Sequence, residues 1–286
     1  MRSRLQLGVI LALILVTPVC AGVRIQAWNP ATHIYIAKSV YPAYAGSFDL
    51  WYGAIAPDMA MYVYPDAAKW SSSFWDTHWT AIDLRLWAAT SAQRIFAKGW
   101  ITHNERYAAD HFAHGYPPLY LAGYVTLRAN ILAAFADIST DLAHMAVETA
   151  IDIHMRTRHP DLAWQLPAAV PANPSLVQGL LSRVFVGWPL RRTDLTTLAG
   201  AEQSFGCVIL GCGAFPGYAP ALQDSTEASY FPMAEYGAAF ARSIDPDSTL
   251  EADDVAQLLG VAMALTADYE AAVNATISAV RMSVPR

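Results

Sequence analysis

The sequence predicts an all-α protein, a single-domain multi-helix bundle. Three observations carry that expectation: helix-start signals recur along the chain, polar residues repeat at helical spacing, and no stretch alternates as a strand would. "NPATHIYIAKSVY" opens the first helix, with Asn29 as N-cap and Pro30 at the first helical position, where a missing N–H costs nothing. A helical tract is expected from Ala81 to His114, with Gly99 as the place for a break. Another helix runs from Ser139 to about Arg156 and stops before His159–Pro160. Asn173–Pro174 starts a shorter helix and Ser225 to Arg242 forms the next, while Ser248 and Glu251 make a capping box for a long C-terminal helix. The Pro- and Gly-rich stretches Pro160–Pro174 and Gly206–Pro220 are expected as surface loops within one domain, and no internal repeat is visible.

Composition narrows the function classes. A chain of 286 residues can bury a sizeable core. Charged residues make up 15%, against roughly 25% in an average soluble protein, and the net charge is −6. That balance argues against nucleic acid as a partner, since phosphate-backbone binders present a basic face. Trp and Tyr are abundant; most belong in a core, and any left exposed would suit an apolar or interfacial substrate.

The first residues read as a Sec-type export signal: Arg2 and Arg4, then the apolar "LQLGVILALILV", then Pro18 and Ala21. The apolar run is short for a membrane span, so the expected location is secreted or periplasmic, with an N-terminal membrane anchor as the alternative. Cleavage after Ala21 fits the small-residue rule through Val19 and Ala21. Cys207 and Cys212 then remain; they can pair across a small loop in an oxidising compartment but are too few to be the main metal ligands.

Two polar stripes carry the chemistry. In "GWITHNERYAADHFAHG", a regular helix would put His103, Asp110 and His114 within about 40° of one another, with Tyr107 on the same stripe and His111 to its side. In "HMAVETAIDIHM", His144, Glu148 and Asp152 follow at four-residue steps, a spacing that lets His and Glu reach one ion from the same side. Asp152 is expected to orient a ligand rather than to be one. "AWNPATH" adds His33, "YGAIAPD" adds Asp58 and "SSFWDTHW" adds His78. Taken singly, each has an ordinary alternative, a salt-linked solvated face or a hydrogen-bonded core histidine. Collectively they form an all-N/O set that suits zinc and exceeds the needs of one ion. His154 and His159 are expected at the surface.

In this order, "AWNPATHIYIA", "YGAIAPDM", "SSFWDTHW", "GWITH…DHFAH" and "HMAVE" resemble the bacterial zinc-dependent phospholipase C family, which shares its fold with the S1/P1-type nucleases. The resemblance covers most of the mature chain, taken as residues 28–286. It implies a mostly α-helical domain of that type, with up to three Zn2+ ions in a cleft, two of them close together and sharing an aspartate. Carried over residue by residue, it implies that His33 and the backbone of Trp28 bind one zinc of the pair. Asp58, His78 and His103 would serve the partner zinc, with Asp110 bridging. His114, His144 and Glu148 would hold the third. Because family members begin with a ligating tryptophan, cleavage after Ala27 becomes the competing position. One departure stands out: His103 and Asp110 are seven residues apart where the family has four, about 10 Å along a straight helix. A local bend or a replacement ligand is then required.

The implied function is a secreted zinc-dependent phosphodiesterase, a phospholipase C cleaving phospholipid into diacylglycerol and a phosphorylated head group by metal-activated water. Asp58 is the catalytic candidate, orienting or deprotonating that water. Phospholipid or another phosphodiester is the expected partner, with peripheral contact to a membrane surface. Trp51, Tyr52, Tyr62, Tyr64, Trp75 and Trp79 are candidates to cage a quaternary ammonium or meet a bilayer, or else are packing. The alternatives are an S1/P1-type nuclease or nucleotidase, and a non-catalytic zinc-stabilised surface or binding protein.

Overall fold

Helices do begin where capping chemistry allows, although not always with the expected residue. The computed structural model describes residues 28–63, 67–79, 83–116, 121–170, 193, 195–244 and 247–284. The export segment with its cleavage point, the helix expected at Asn173–Pro174, Tyr64 and the side chain of Trp79 lie outside the described residues.

Helix α1, Pro30–Val40, starts at Asn29, but the Asn29 side chain does not cap it. Its Nδ2 donates instead to Thr149 Oγ1 and the Tyr218 hydroxyl, each at 3.0 Å. The cap is the carboxylate of Asp152, which accepts from Ala31 N and Thr32 N at 2.9 Å and from Thr32 Oγ1 at 2.6 Å. A carboxylate at a helix N-terminus meets both the orphan N–H groups and the positive end of the dipole.

Helix α2, Phe48–Ile55, leads into a kinked 3-10 segment, Ala56–Val63. Helix α3, Ala67–Phe74, ends in a π-type turn, Trp75–Trp79. The expected tract from Ala81 to His114 is broken into separate pieces. A 3-10 turn, Leu84–Leu86, precedes α4, Ser91–Ile101, whose Thr90 and Gln93 form a capping box. Seven non-helical residues, 102–108, separate α4 from α5, Ala109–His114. The helix stops because Thr102 folds back on Gly99, its hydroxyl donating to the Gly99 carbonyl at 2.6 Å. A short ladder, β1 (Gly115–Tyr116) with β2 (Leu121–Ala122), follows α5.

Helix α6, Tyr124–Ala136, packs on α7, Thr140–Arg158, which starts as expected at Ser139, whose Oγ accepts from Leu142 N at 3.2 Å. Two expected loops are largely helical. Helix α8, Leu162–Ala169, occupies the first, and α9, Leu195–Leu210, runs past Gly206 so that only 211–217 remain as loop. Cys207 and Cys212 form a disulfide at its start. Helix α10, Tyr218–Gln223, is followed by a tight turn with Thr226 opposite Ser229, so α11 begins at Phe231 rather than near Ser225. The expected long C-terminal helix is two, α12 (Ala252–Leu265) and α13 (Tyr269–Ser283). Glu251 and Asp254, not Ser248, make the capping box of α12.

Packing places α7 at the centre, against α1, α6 and α12, while α13 closes over α1 and α5. Helices α2 and α4 touch through their backbones. A Cβ on Gly53 would lie 2.0 Å from the Phe96 carbonyl oxygen, and one on Gly99 would lie 2.2 Å from the Leu50 carbonyl oxygen. Only glycine permits that approach. The large buried side chains Trp28, Trp51, Phe96, Phe205 and Ile34 belong to one core cluster.

Candidate metal centre

Each polar group expected to bind metal is buried, and the elements above aim them at common points. Asp110 stands at the middle of the first group. Its Oδ1 is 3.2 Å from His33 Nε2 and its Oδ2 is 3.1 Å from His103 Nε2. One carboxylate thus lies between two histidines. His103 Nε2 is also 3.3 Å from Asp58 Oδ1 and 3.2 Å from His78 Nε2. His33, His103 and Asp110 converge as one group, and Asp58, His78 and His103 as a second. The third is His114, His144 and Glu148: His144 Nε2 lies 3.0 Å and His114 Nε2 3.6 Å from Glu148 Oε1.

The wide spacing of His103 and Asp110 is resolved by the loop. Thr102 and His103 carbonyls accept from Ala109 N and Asp110 N at 2.9 and 3.0 Å, so residues seven apart in sequence become neighbours. The two therefore do not share a continuous helical stripe, contrary to expectation, and His103 belongs to both groups around Asp110. Tyr107 lies on this loop, half-buried, and packs against the cluster of Ile101, Ala108, Val280 and Val284.

Three histidines are held in the same orientation from behind. His103 Nδ1 is 2.7 Å from the Ala54 carbonyl, and His114 Nδ1 is 2.7 Å from Glu105 Oε1. Both partners accept, so each Nδ1 carries a proton and Nε2 is the nitrogen that faces the converging groups. His78 Nδ1 lies 2.7 Å from Thr77 Oγ1, whose own hydrogen goes to the Ser73 carbonyl at 2.9 Å, which gives the same tautomer. These are the outer hydrogen bonds that metal-binding histidines require.

Charge accumulates accordingly. Burial raises the Asp58 carboxyl, but His103 and His78 outweigh it and bring its pKa down to about 2. Burial likewise opposes ionisation of Asp110, yet His103 and His33 hold it well below the usual carboxylate range. Desolvation lowers His33, helped by His103. His114 is pushed up to about 10 because Glu105 and Glu148 overcome its burial.

The donor set fits metal ions. His33 Nε2, Asp58 Oδ1, both oxygens of Asp110 and His114 Nε2 are buried without a hydrogen-bond partner, a costly state for groups aimed at one another. Ligands on a tetrahedral zinc with bonds of about 2.1 Å sit about 3.4 Å apart. The separations of 3.0 and 3.6 Å from His144 and His114 to Glu148, and of 3.1–3.3 Å around His103, match that spacing.

Trp28 is fully buried, and its indole N–H donates to the Ala109 carbonyl at 3.0 Å, beside Asp110. Asp152 is close but not converging; it reaches the site by capping the helix that carries His33. His154 is buried rather than exposed, between Glu227 Oε1 at 2.8 Å and the Met263 carbonyl at 3.1 Å. His159 is half-buried against Tyr35. Trp51 and Tyr52 are core residues, because α4 and α8 cover α2; Tyr62 is half-buried on Phe205, and Trp75 is exposed. Sequence reasoning missed Glu105 and Thr77. On a continuous helix Glu105 would point about 200° from His103, so only the break at Ile101 brings it into play.

No protein-family model matches the chain, and no curated protein or solved structure matches it significantly.

Proposed function

We propose that this chain is a zinc-dependent phosphodiesterase of the phospholipase C type, holding up to three zinc ions on Trp28 (main chain), His33, Asp58, His78, His103, Asp110, His114, His144 and Glu148. The observation that carries the reading is the convergence of eight buried side chains into three groups, two of them sharing His103, with the Asp110 carboxylate between His33 and His103. An ordinary structural zinc site needs one group of four ligands. Three adjoining groups built of imidazole and carboxylate suit hydrolysis of a phosphodiester. Zinc bound there would supply concentrated positive charge for the phosphate oxygens and activate water near neutral pH.

The chain's own groups divide the remaining work. Asp58 keeps 10% of its side chain exposed while His33, His78, His103 and Asp110 are sealed, so Asp58 is placed to orient or deprotonate an incoming water. Its low pKa leaves it ionised, which suits a hydrogen-bond acceptor for that water. The carbonyl of Ala54 and the hydroxyl of Thr77 keep His103 and His78 turned inward throughout. Phospholipid is favoured over nucleic acid by the net charge of −6.

Metal analysis of the purified protein, with hydrolysis of phosphatidylcholine vesicles and of DNA before and after chelation, tests the proposal. Three zinc ions and chelator-sensitive release of diacylglycerol are expected. Activity on DNA alone would transfer the reading to the nuclease branch. A protein without bound metal and with melting unaffected by chelator would overturn it.

A further inference from the structure

The loop that parts His103 from Asp110 does more than bring these two together. Glu105 lies at its centre, buried, with its N–H donating to the His78 carbonyl at 3.0 Å. Its Oε1 reaches back 2.7 Å to Nδ1 of His114. Asn104 Oδ1 accepts from Arg106 N at 2.7 Å and the Asn104 carbonyl accepts from Ala108 N at 3.0 Å, which tightens the loop around Glu105. The residue is thus anchored by its backbone to a side of the first two groups and by its carboxylate to a ligand of the third.

We propose that Glu105 is a positioning residue which fixes His114 with Nε2 towards His144 and Glu148, and that the seven-residue loop thereby braces the third metal group against the paired one. The inference rests on the metal reading above. The argument is geometric. His114 is the last residue of α5, where the helix exits through Gly115 at φ +84°, so helical packing does little to hold its ring. Its partners on the ligand side, Glu148 and His144, come from a different helix. A carboxylate behind Nδ1 settles which nitrogen bears the proton and also adds negative charge that strengthens the ring as a donor to metal. On one continuous helix this arm would point about 200° away from His103. The break between Ile101 and Ala109 is what turns Glu105 inward.

The test compares the wild-type protein with Glu105→Ala and Glu105→Gln. Zinc is titrated against a competing chelator, and the histidine tautomers of the zinc-loaded proteins are read by long-range 15N–1H NMR. In the wild type, His114 shows Nδ1–H. Glu105→Ala is expected to weaken one of the three zinc sites 10- to 100-fold, leave the other two within about threefold, and lose the fixed tautomer. Glu105→Gln, which can still accept through Oε1, is expected to keep the tautomer and weaken that one site less. Adding His144→Ala to Glu105→Ala should cause no further metal loss than His144→Ala alone. Unchanged zinc affinity in Glu105→Ala, equal weakening of all three sites, or an unaltered His114 tautomer would each overturn the proposal. Should the wild type take up no zinc, the metal reading fails, and retention of an exchange-protected His114 Nδ1–H in Glu105→Gln but not in Glu105→Ala then decides the positioning claim by itself.

Discussion

A single buried carboxylate illustrates how much one residue can organise here. Asp152 accepts hydrogen bonds from two backbone amides, the Thr32 hydroxyl and the Tyr218 hydroxyl, and so fixes the start of the helix carrying His33. Desolvation outweighs those four donors and raises its pKa to about 6. Its ordinary value is about 3.9, so the native state binds the proton more tightly than the unfolded chain. The resulting contribution to stability is full below about pH 4 and is lost as pH rises through 6. Asp152→Asn should therefore flatten the fall in stability between pH 4 and pH 6, measured by urea unfolding. Asp152→Ala leaves buried donors unpaired and should cost on the order of 3 kcal/mol at neutral pH, while removing less metal than His144→Ala. His144→Ala and Glu148→Ala should each lose the same single ion, and the double variant no more than either, because one loss already empties the site. Additive loss of stability at His144, Glu148 and Asp152, with metal content unchanged, would mark a plain charged helix face instead.

At the scale of elements, ligand geometry depends on how α2 meets α4. The Ala54 carbonyl that holds His103 lies in α2, and His103 follows the end of α4, so the spacing between these helices sets the position of the ring. Gly99→Ala would drive a Cβ to 2.2 Å from the Leu50 carbonyl oxygen and 2.6 Å from Ala54 N, both backbone atoms that cannot step aside. We expect a loss of about 3 kcal/mol or more together with release of metal from the paired groups. Gly46→Ala, with nothing within 4 Å of the added carbon, should change neither. Calorimetry with metal analysis on both variants checks the contrast. The expected tract from Ala81 to His114 breaks near Gly99, where the sequence allowed it, for a related reason: its helix-forming composition is real, but a tertiary hydrogen bond from Glu105 N to the His78 carbonyl rewards the break.

For the whole molecule, the proposed ligands gather parts of the chain that are far apart in sequence. His33 comes from α1, Asp58 from the 3-10 segment, His78 from the π-type turn, Asp110 and His114 from α5, and His144 and Glu148 from α7. Metal held by the folded form alone would stabilise every one of these contacts at once. Each ion present at 100 times its dissociation constant adds about 2.7 kcal/mol. Chelation should accordingly lower the melting temperature and the urea midpoint in one cooperative step, and added zinc should restore both. Restoration by magnesium but not by zinc would contradict a site of imidazole and carboxylate ligands.

Local periodicity was legible in the sequence. The four-residue step from His144 to Glu148 survives in α7 because a helix sets that spacing without help from the rest of the chain. The His144–Glu148 pair, the Ser139 cap and the pairing of Cys207 with Cys212 were legible for the same reason: each is a property of nearby residues. What only tertiary structure decided are the contacts across long separations. Asp110 faces both His33 and His103, Asp152 replaces Asn29 as the cap of α1, and Trp51 and Tyr52 sink into the core because α4 and α8 cover them. Glu105 joins His114 because hydrogen bonds beyond the helix end α4 early and fold the loop inward. Sequence specifies periodicity within a turn or two, whereas burial and hydrogen bonding between distant segments determine which breaks in that periodicity are stable.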